Sequence, residues 1–227
     1  MRTVAIIAAG GSGTRLGTDM PKQFVCVNDK PIMAYTLLTF NNSQDIHEII
    51  VTSPAGYETM TEDIVSSYSI DKASKIITGG NNRQDTVYYA LKAAQRDSII
   101  LIHDAVRPFV TQEEITGAIK GALAYGACSI GVPVKDTIKI CDKNGLVINT
   151  PARETLWQIQ TPQAFLYSII KKAHEQARAI GYTATDDMGL VERMGCPTRI
   201  IMGSYSNIKI TTKEDLCFFS RCAWGPE

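Results

Sequence analysis

The chain has 227 residues, 44% hydrophobic and 20% charged, the balance of a globular protein with one large domain or two small ones. Its 23 Lys and Arg residues equal its 23 Asp and Glu residues, which argues against a general nucleic-acid binder but leaves room for a local basic pocket. No apolar run is long enough to cross a bilayer, the first residues enter strand pattern with no signal-peptide layout, and six scattered cysteines form no Cys-x-x-Cys pair; a reduced, cytoplasmic protein is expected.

The first element is an apolar run, Val4-Ala5-Ile6-Ile7-Ala8, that breaks into Ala9-Gly10-Gly11-Ser12-Gly13-Thr14-Arg15-Leu16-Gly17 and then Pro21-Lys22-Gln23. Glycine has no Cβ, so such a turn can bring its backbone close to a ligand, and consecutive free N–H groups form a concave seat for phosphate oxygens. Arg15 and Lys22 stand where they can reach the same anion. A dinucleotide fingerprint is excluded, because counting from Gly11 puts Leu16 where the last glycine or alanine belongs. A Walker loop is excluded too, since Gly17-Thr18-Asp19 lacks the lysine. A nucleoside triphosphate is the expected ligand, with a plain strand-to-turn corner as the alternative.

Further on, strand runs at 48–52, 75–78, 99–103, 127–132 and 199–202 alternate with helical patterns at 32–41, 56–67, 83–95, 113–125, 167–180, 187–194 and 213–222. Ile99-Ile100-Leu101-Ile102 does not alternate and reads as a strand buried on both faces. The pattern predicts a single α/β domain over 1–227, Rossmann-like, with a mostly parallel sheet and helices on both faces. The segment 136–160 breaks the alternation. Asn144-Gly145 between two β-type runs signals a hairpin, and a lone two-stranded ribbon is marginal in water. A protruding β-arm that packs on a second copy of the chain is expected, the alternative being a hairpin folded on its own domain.

In open parallel sheets, ligands sit at the carboxyl ends of the strands. The residues there are the glycine loop, then Gly79-Gly80-Asn81-Asn82-Arg83 with Thr86, His103-Asp104-Ala105-Val106-Arg107, Pro133-Val134-Lys135-Asp136-Thr137, and Asn207-Ile208-Lys209-Ile210-Thr211. Asp104 suits Mg²⁺, which takes few protein oxygens plus substrate phosphates, or else it pairs with Arg107 or caps a helix. His103 reads as a structural histidine. Lys209, in a short strand-like piece, either caps developing negative charge or is solvated. Arg153, on the arm, is either a surface residue or one that enters a partner's site. His47, His103 and His174 lie far apart in sequence, so no zinc site is expected.

These residues together resemble the 2-C-methyl-D-erythritol 4-phosphate cytidylyltransferases, within the glycosyltransferase-A-like nucleotidyltransferases. The resemblance rests on the stretch from Ala8 to Arg15, Pro21-Lys22-Gln23, Gly79-Gly80 with Arg83, the His103 to Pro108 stretch, Pro133-Val134-Lys135-Asp136-Thr137, Leu156-Trp157-Gln158-Ile159-Gln160-Thr161-Pro162-Gln163, Thr185-Asp186-Asp187 and Asn207-Ile208-Lys209-Ile210-Thr211. It implies transfer of CMP from CTP to a polyol phosphate with loss of pyrophosphate. It implies that Ala8, Ala9, Gly10, Gly11, Ser12 and Gly13, with Arg15 and Lys22, hold the triphosphate. Gly80, Asn81, Thr86 and Ala105 would hold the cytidine, and Asp104 the Mg²⁺. Thr137, Thr161, Thr185, Arg107, Lys209 and a partner-donated Arg153 would hold the acceptor, in a homodimer formed through the arm. No nucleic acid or membrane partner is implied.

Two positions depart from the family's pattern, Asn81 where an acidic residue is common and Thr86 where serine is common. Ribitol 5-phosphate is the alternative acceptor, and a non-catalytic nucleotide-binding protein the alternative outside enzymes. The stretches Arg153-Glu154-Thr155-Leu156-Trp157 and Val134-Lys135-Asp136-Thr137-Ile138-Lys139 favour the methylerythritol acceptor.

Overall fold

The structure, a computed structural model, describes residues 1–10 and 20–222. β1 (Arg2–Ala8) opens the chain, and a small ribbon of β2 (Cys26–Val27) and β3 (Lys30–Pro31) leads into α1 (Ile32–Asn41). Then follow β4 (Glu48–Ser53), α2 (Glu58–Ser67), β5 (Ala73–Thr78), α3 (Arg83–Ala93), β6 (Ser98–Asp104), α4 (Gln112–Tyr125) and β7 (Ala127–Pro133). The hairpin of β8 (Ile140–Cys141) and β9 (Val147–Asn149) stands between β7 and β10 (Trp157–Leu166). The chain ends in α5 (Tyr167–Ala179), α6 (Asp187–Arg193), β11 (Arg199–Met202) and α7 (Lys213–Cys222).

Seven of these strands form one sheet in the order β11-β7-β10-β6-β1-β4-β5. Every pairing in it is parallel except those of β10, which runs antiparallel to both β6 and β7. The α/β expectation therefore holds, with a mostly parallel sheet. The alternation of side chains across the pleat explains why helices cover both faces. Ala5, Ile7, Ile49, Val51, Ile99 and Leu101 point to one side, where α1, α2 and α4 bury them. Val4, Ile6, Ile50, Ile100 and Ile102 point to the other, under α3, α5 and α6. The chain order reverses between β1 and β6: β4 and β5 extend the sheet one way, and β10, β7 and β11 the other. Such a switch point opens a crevice beyond the carboxyl ends of the two central strands.

The helix starts are fixed by side chains that satisfy free backbone N–H groups. Asn82 accepts from Asp85 N and caps α3, Asp186 accepts from Gly189 N and caps α6, and Thr111 forms a capping box with Glu114 at the head of α4. Glu114 has a second task. Its Oε1 accepts from Ser204 N at 2.8 Å, which ties the segment after β11 to the start of α4.

Sequence reading missed β10. The run Trp157-Gln158-Ile159-Gln160-Thr161-Pro162-Gln163 is rich in glutamine and contains a proline, which cannot donate to a ladder. The register of β10 against β7 shifts between Ile159 and Gln163, and this irregularity absorbs Pro162. The arm hairpin is present with Gly145 at φ +85°, but its ladder is shorter than the two flanking runs. The segment around Lys209 forms no strand. It is an extended stretch held by Ile210 N donating to Val106 O at 2.9 Å and by the side chain of Arg107.

Two glycines test this packing in opposite directions. A Cβ on Gly203 would lie 2.3 Å from Ile130 Cγ2 and 2.7 Å from Gln160 Oε1, whereas one on Gly117, inside α4, meets nothing closer than Ile201 Cγ2 at 3.4 Å. Urea denaturation is expected to show Gly203→Ala destabilised by about 1–3 kcal/mol through overpacking. Gly117→Ala is expected to gain up to about 1 kcal/mol from helix propensity.

Candidate active site

The crevice at the switch point begins where Ala8 at the end of β1 faces Asp104 at the end of β6. Ala105 N donates to Ala8 O at 3.1 Å and closes this edge. Ala9 is fully engaged by the protein: its N–H donates to Thr52 Oγ1 at 2.8 Å, and its carbonyl accepts from Gln23 Nε2 at 2.5 Å. The entry to the glycine loop is therefore pinned by a threonine from β4 and by the glutamine beside Lys22. Gly11, Ser12, Gly13 and Arg15 lie outside the described residues.

Gly10 packs against the second glycine turn. A Cβ added to Gly10 would stand 2.8 Å from Thr86 Cγ2, and one added to Gly79 would stand 3.1 Å from Gly10 Cα. Only glycine allows two backbones to meet in this way. Thr86, buried on the first turn of α3, locks the arrangement: its hydroxyl accepts from Gly80 N at 3.0 Å and donates to Asn82 O at 2.8 Å. The hydroxyl expected to meet a cytidine also shapes the turn. Asn81 is exposed on the turn's surface.

Asp104 is the electrostatic centre. It is 6% exposed, and three cations from three separate segments surround it. Lys209 Nζ lies 2.8 Å from Oδ2, Arg107 Nε 3.5 Å from Oδ2, and Arg83 Nε 3.5 Å from Oδ1. Burial alone would raise the carboxyl pKa, but Arg83, Lys209 and Arg107 outweigh it and hold the group far below the usual range. The pairing with Arg107 foreseen as an alternative is real, and Lys209, not foreseen as a partner of Asp104, pairs with the same carboxylate. Arg107 also donates to Asn207 O at 2.8 Å, and Asn207 Nδ2 donates to Thr161 O at 2.9 Å. Lys22 Nζ donates to Ile210 O at 3.0 Å, which brings it beside the Lys209 segment.

His103 and Thr161 stand behind Asp104. Thr161 Oγ1 accepts from Asp104 N at 3.1 Å and contacts His103 Nδ1 at 3.0 Å, and His103 Nε2 lies 3.2 Å from Arg107 O. The Arg107 carbonyl can only accept, so Nε2 carries the proton of the neutral ring, and Nδ1 then accepts from the threonine hydroxyl. His103 is a satisfied structural histidine, as expected. Thr161, expected to touch the acceptor phosphate, is 5% exposed and has its hydroxyl committed to this network. It shapes the site through the backbone of Asp104.

Thr137 and Arg153 are exposed on the arm, where Arg153 Nη1 donates to Lys135 O at 3.0 Å. Thr185 is exposed next to Asp186, whose carboxylate accepts from Gln163 Nε2 at 2.7 Å. The structure thus gathers Ala8, Gly10, Lys22, Gly80, Thr86, Asp104, Ala105, Arg107, Thr161 and Lys209 at one edge of the sheet, and leaves Thr137 and Arg153 on the arm that rises from it. Sequence reading assigned no role to Arg83 or Asp187, which meet at 2.6 Å. Both fall within motifs already singled out, but nothing in their sequence spacing shows that they pair.

Glycine turns and part-buried cations, brought together at the switch point of a mostly parallel α/β sheet, fit a binder of phosphate esters of the nucleotide-binding α/β class. Comparison with known proteins narrows the class. Residues 3–220 match the 2-C-methyl-D-erythritol 4-phosphate cytidylyltransferase family, and the chain belongs to it. The enzyme of that name from Alkaliphilus oremlandii is 46% identical over 217 residues, covering 95% of this chain and 92% of the relative. That from Desulforamulus reducens is 43% identical over 215 residues, covering 94% and 92%. The crystal structure of 4-diphosphocytidyl-2C-methyl-D-erythritol synthase from Anaerococcus prevotii superposes with a TM-score of 0.87 at 31% identity, covering 99% of this chain and 96% of that one.

The buried His103 has a measurable consequence. Burial depresses its pKa to about 3, well under the unfolded value of about 6.5. Between those values the unfolded chain binds a proton that the folded chain does not, so stability falls as pH falls through this window. The loss is expected to approach about 1.4 kcal/mol per pH unit. Denaturation midpoints between pH 6.5 and 4.5 should show this slope in the parent protein and a flatter one in His103→Gln.

Proposed function

We propose that the chain transfers CMP from CTP to 2-C-methyl-D-erythritol 4-phosphate, giving 4-diphosphocytidyl-2-C-methyl-D-erythritol and pyrophosphate, a step in non-mevalonate isoprenoid precursor synthesis. Family membership supports the reaction and the acceptor. The observation that carries the reading on physical grounds is the cationic cluster around Asp104, set opposite the paired glycine turns. All six cysteines are free, which suits a reducing compartment such as the cytoplasm.

The attacking group is an acceptor phosphate oxygen that is already anionic, so no general base is needed. The task is to bring two anions together and to neutralise the charge that grows as the α-phosphorus becomes five-coordinate and pyrophosphate leaves. Positioning and preorganised charge do this. In this reading Ala8, Gly10 and the glycine loop, with Arg15 and Lys22, seat the triphosphate. Gly80, Asn81 and Ala105 line the cytidine site, with Thr86 fixing its turn. Lys209 sits at the α-phosphate, and Arg107, Thr137, Thr185 and the partner's Arg153 take the acceptor, with Thr161 positioning Asp104.

Mg²⁺ fits Asp104. A hard cation that keeps most of its shell in water and substrate phosphates needs one or two protein carboxylates. Among the described residues no three His, Cys, Asp or Glu side chains cluster, so the remaining donors would come from CTP and water. When bound, the cation supplies charge neutralisation to the phosphates.

The arm supports a homodimer. Ile140, Leu146, Val147 and Ile148 are 49%, 71%, 51% and 66% exposed on a two-stranded ribbon that cannot bury them itself. Apolar side chains gathered on such a ribbon mark a contact surface.

Pyrophosphate release from CTP with each polyol phosphate tests the function, and activity with ribitol 5-phosphate alone would refute the acceptor. Lys22→Ala and Lys209→Ala are each expected to lower turnover about a hundredfold or more, the loss seen when one transition-state donor is removed. Near-parent turnover in both would sink the site.

Mixed dimers test the arm. If Arg153 serves the partner's site, Arg153→Ala and Lys209→Ala chains, each inactive alone, form heterodimers with one intact site of two. Refolding the two together in equal amounts should restore roughly a quarter of parent activity, by random pairing of identical interfaces. No restoration would show that Arg153 acts within its own chain.

A further inference from the structure

Arg83 is shared unequally between two carboxylates. Its Nη1 donates to Asp187 Oδ2 at 2.6 Å, while its Nε stands 3.5 Å from Asp104 Oδ1. Asp187 is 1% exposed at the first turn of α6, and Gln163 Oε1 accepts from its N–H at 3.1 Å, fixing it to β10. Its other oxygen, Oδ1, accepts from His174 Nε2 at 3.1 Å. His174 is fully buried on α5, stacks on Tyr88 with ring centroids 6.2 Å apart, and has no hydrogen-bond partner at Nδ1 among the described residues. Among the described residues the dyad's side chains connect to Asp104 through Arg83.

The two oxygens of Asp104 are in different situations. Oδ2 is taken by Lys209 at 2.8 Å, with Arg107 at 3.5 Å. Oδ1 faces Arg83 at 3.5 Å, too long for a strong charge-assisted bond, which closes to about 2.7–2.9 Å. The short contact of Arg83 is with Asp187. Remove the charge of Asp187, and among the described residues Asp104 is the carboxylate that remains paired with the guanidinium.

We propose that Asp187, braced by His174, is a positioning residue that holds the Arg83 guanidinium off Asp104 and keeps Oδ1 of Asp104 open to a divalent cation. This rests on the reading of Asp104 as the metal ligand. It assigns the pair a role distinct from fold maintenance: Asp187 sets how strongly an internal cation competes with the metal.

The test compares Asp187→Asn, Arg83→Gln and the double variant. In Asp187→Asn, the Mg²⁺ concentration for half-maximal pyrophosphate release at saturating CTP and acceptor is expected to rise about tenfold, the scale of one charged hydrogen bond redirected. Mn²⁺ binding, followed by electron paramagnetic resonance with CTP present and acceptor absent, should weaken by a similar factor. Arg83→Gln removes the competitor and should tighten Mn²⁺ binding, and the double variant should bind Mn²⁺ more tightly than Asp187→Asn. A structural role alone would make both single changes neutral or harmful and the double change additive.

Folded Asp187→Asn with parent Mn²⁺ affinity overturns the proposal, as does Arg83→Gln that weakens Mn²⁺ binding. The second arm stands even if Asp187→Asn does not fold. Parent protein that neither binds Mn²⁺ nor needs a divalent cation overturns the metal reading together with the proposal.

Discussion

A buried carboxylate constrains the whole molecule. An ionised Asp104 at the end of the central strand pair is tenable only with partners, because an uncompensated buried charge costs several kcal/mol. Its three partners come from the head of α3, the turn after β6 and the segment after β11. Residues 83, 104, 107 and 209 must therefore arrive at one point, and the connections are built to deliver them. Asn82 caps α3 and sets the direction of Arg83. Glu114 and Gln160 each bond the backbone of Ser204 and hold the strap that bears Lys209. Lys22 joins from the other end of the chain through Ile210 O. The charge balance is informative in itself. Arg83, Arg107 and Lys209 meet two carboxylates, Asp104 and Asp187, so the site holds a surplus of positive charge. Burial depresses the pKa of Arg107 even beside Asp104, which marks a cation incompletely compensated by the protein. Among the described residues that balance suits the phosphate groups of the proposed substrates.

Most of the architecture could be read from hydrophobic periodicity. All seven helices fall within two residues of the positions expected, and the six strands expected are present, because buried parallel strands and amphipathic helices leave unambiguous patterns. β10 left no such pattern. Its first residues, Trp157-Gln158-Ile159, are partly or fully exposed, and Pro162 counts against a central strand. Its inner half, Gln163-Ala164-Phe165, is buried between β6 and β7, and Gln163 is tolerated there because its amide bonds to Asp186 and to the backbone of Asp187. Tertiary hydrogen bonding outweighed local preference.

The site was partly legible for a similar reason. The rule that ligands gather at strand ends picks out Gly79, Asp104 and Lys209 without knowledge of contacts. It cannot say which hydroxyls remain available. Thr86 and Thr161 look alike in sequence as polar groups near a ligand, yet each is buried and bonded within the protein, Thr86 to the backbone of Gly80 and Asn82 and Thr161 to Asp104 N and His103. Nor can it reveal a pair such as Arg83 and Asp187, which are brought together by the packing of α3, α5 and α6 on one face. Buried polar networks are set by complete three-dimensional satisfaction of donors and acceptors, and a linear pattern carries no record of that.

The antiparallel course of β10 also explains where the arm emerges. β7 ends at Pro133 on the ligand edge of the sheet, and Trp157, the first residue of β10, pairs with it. Because β10 runs against its neighbours, it begins at the edge where they finish, so the intervening residues leave and re-enter the sheet beside Asp104. Had β10 been parallel, the crossover from β7 would have had to return to the opposite edge, far from the crevice. Val134 N bonds to Leu156 O and closes the base of the arm, while Tyr205 braces it through Pro133 O at 2.8 Å and a cation–π contact with Lys135 at 3.5 Å. Tyr205 belongs to the same strap that bears Asn207 and Lys209. One short segment of chain thus contacts both the base of the arm, through Tyr205, and the charged cluster, through Lys209.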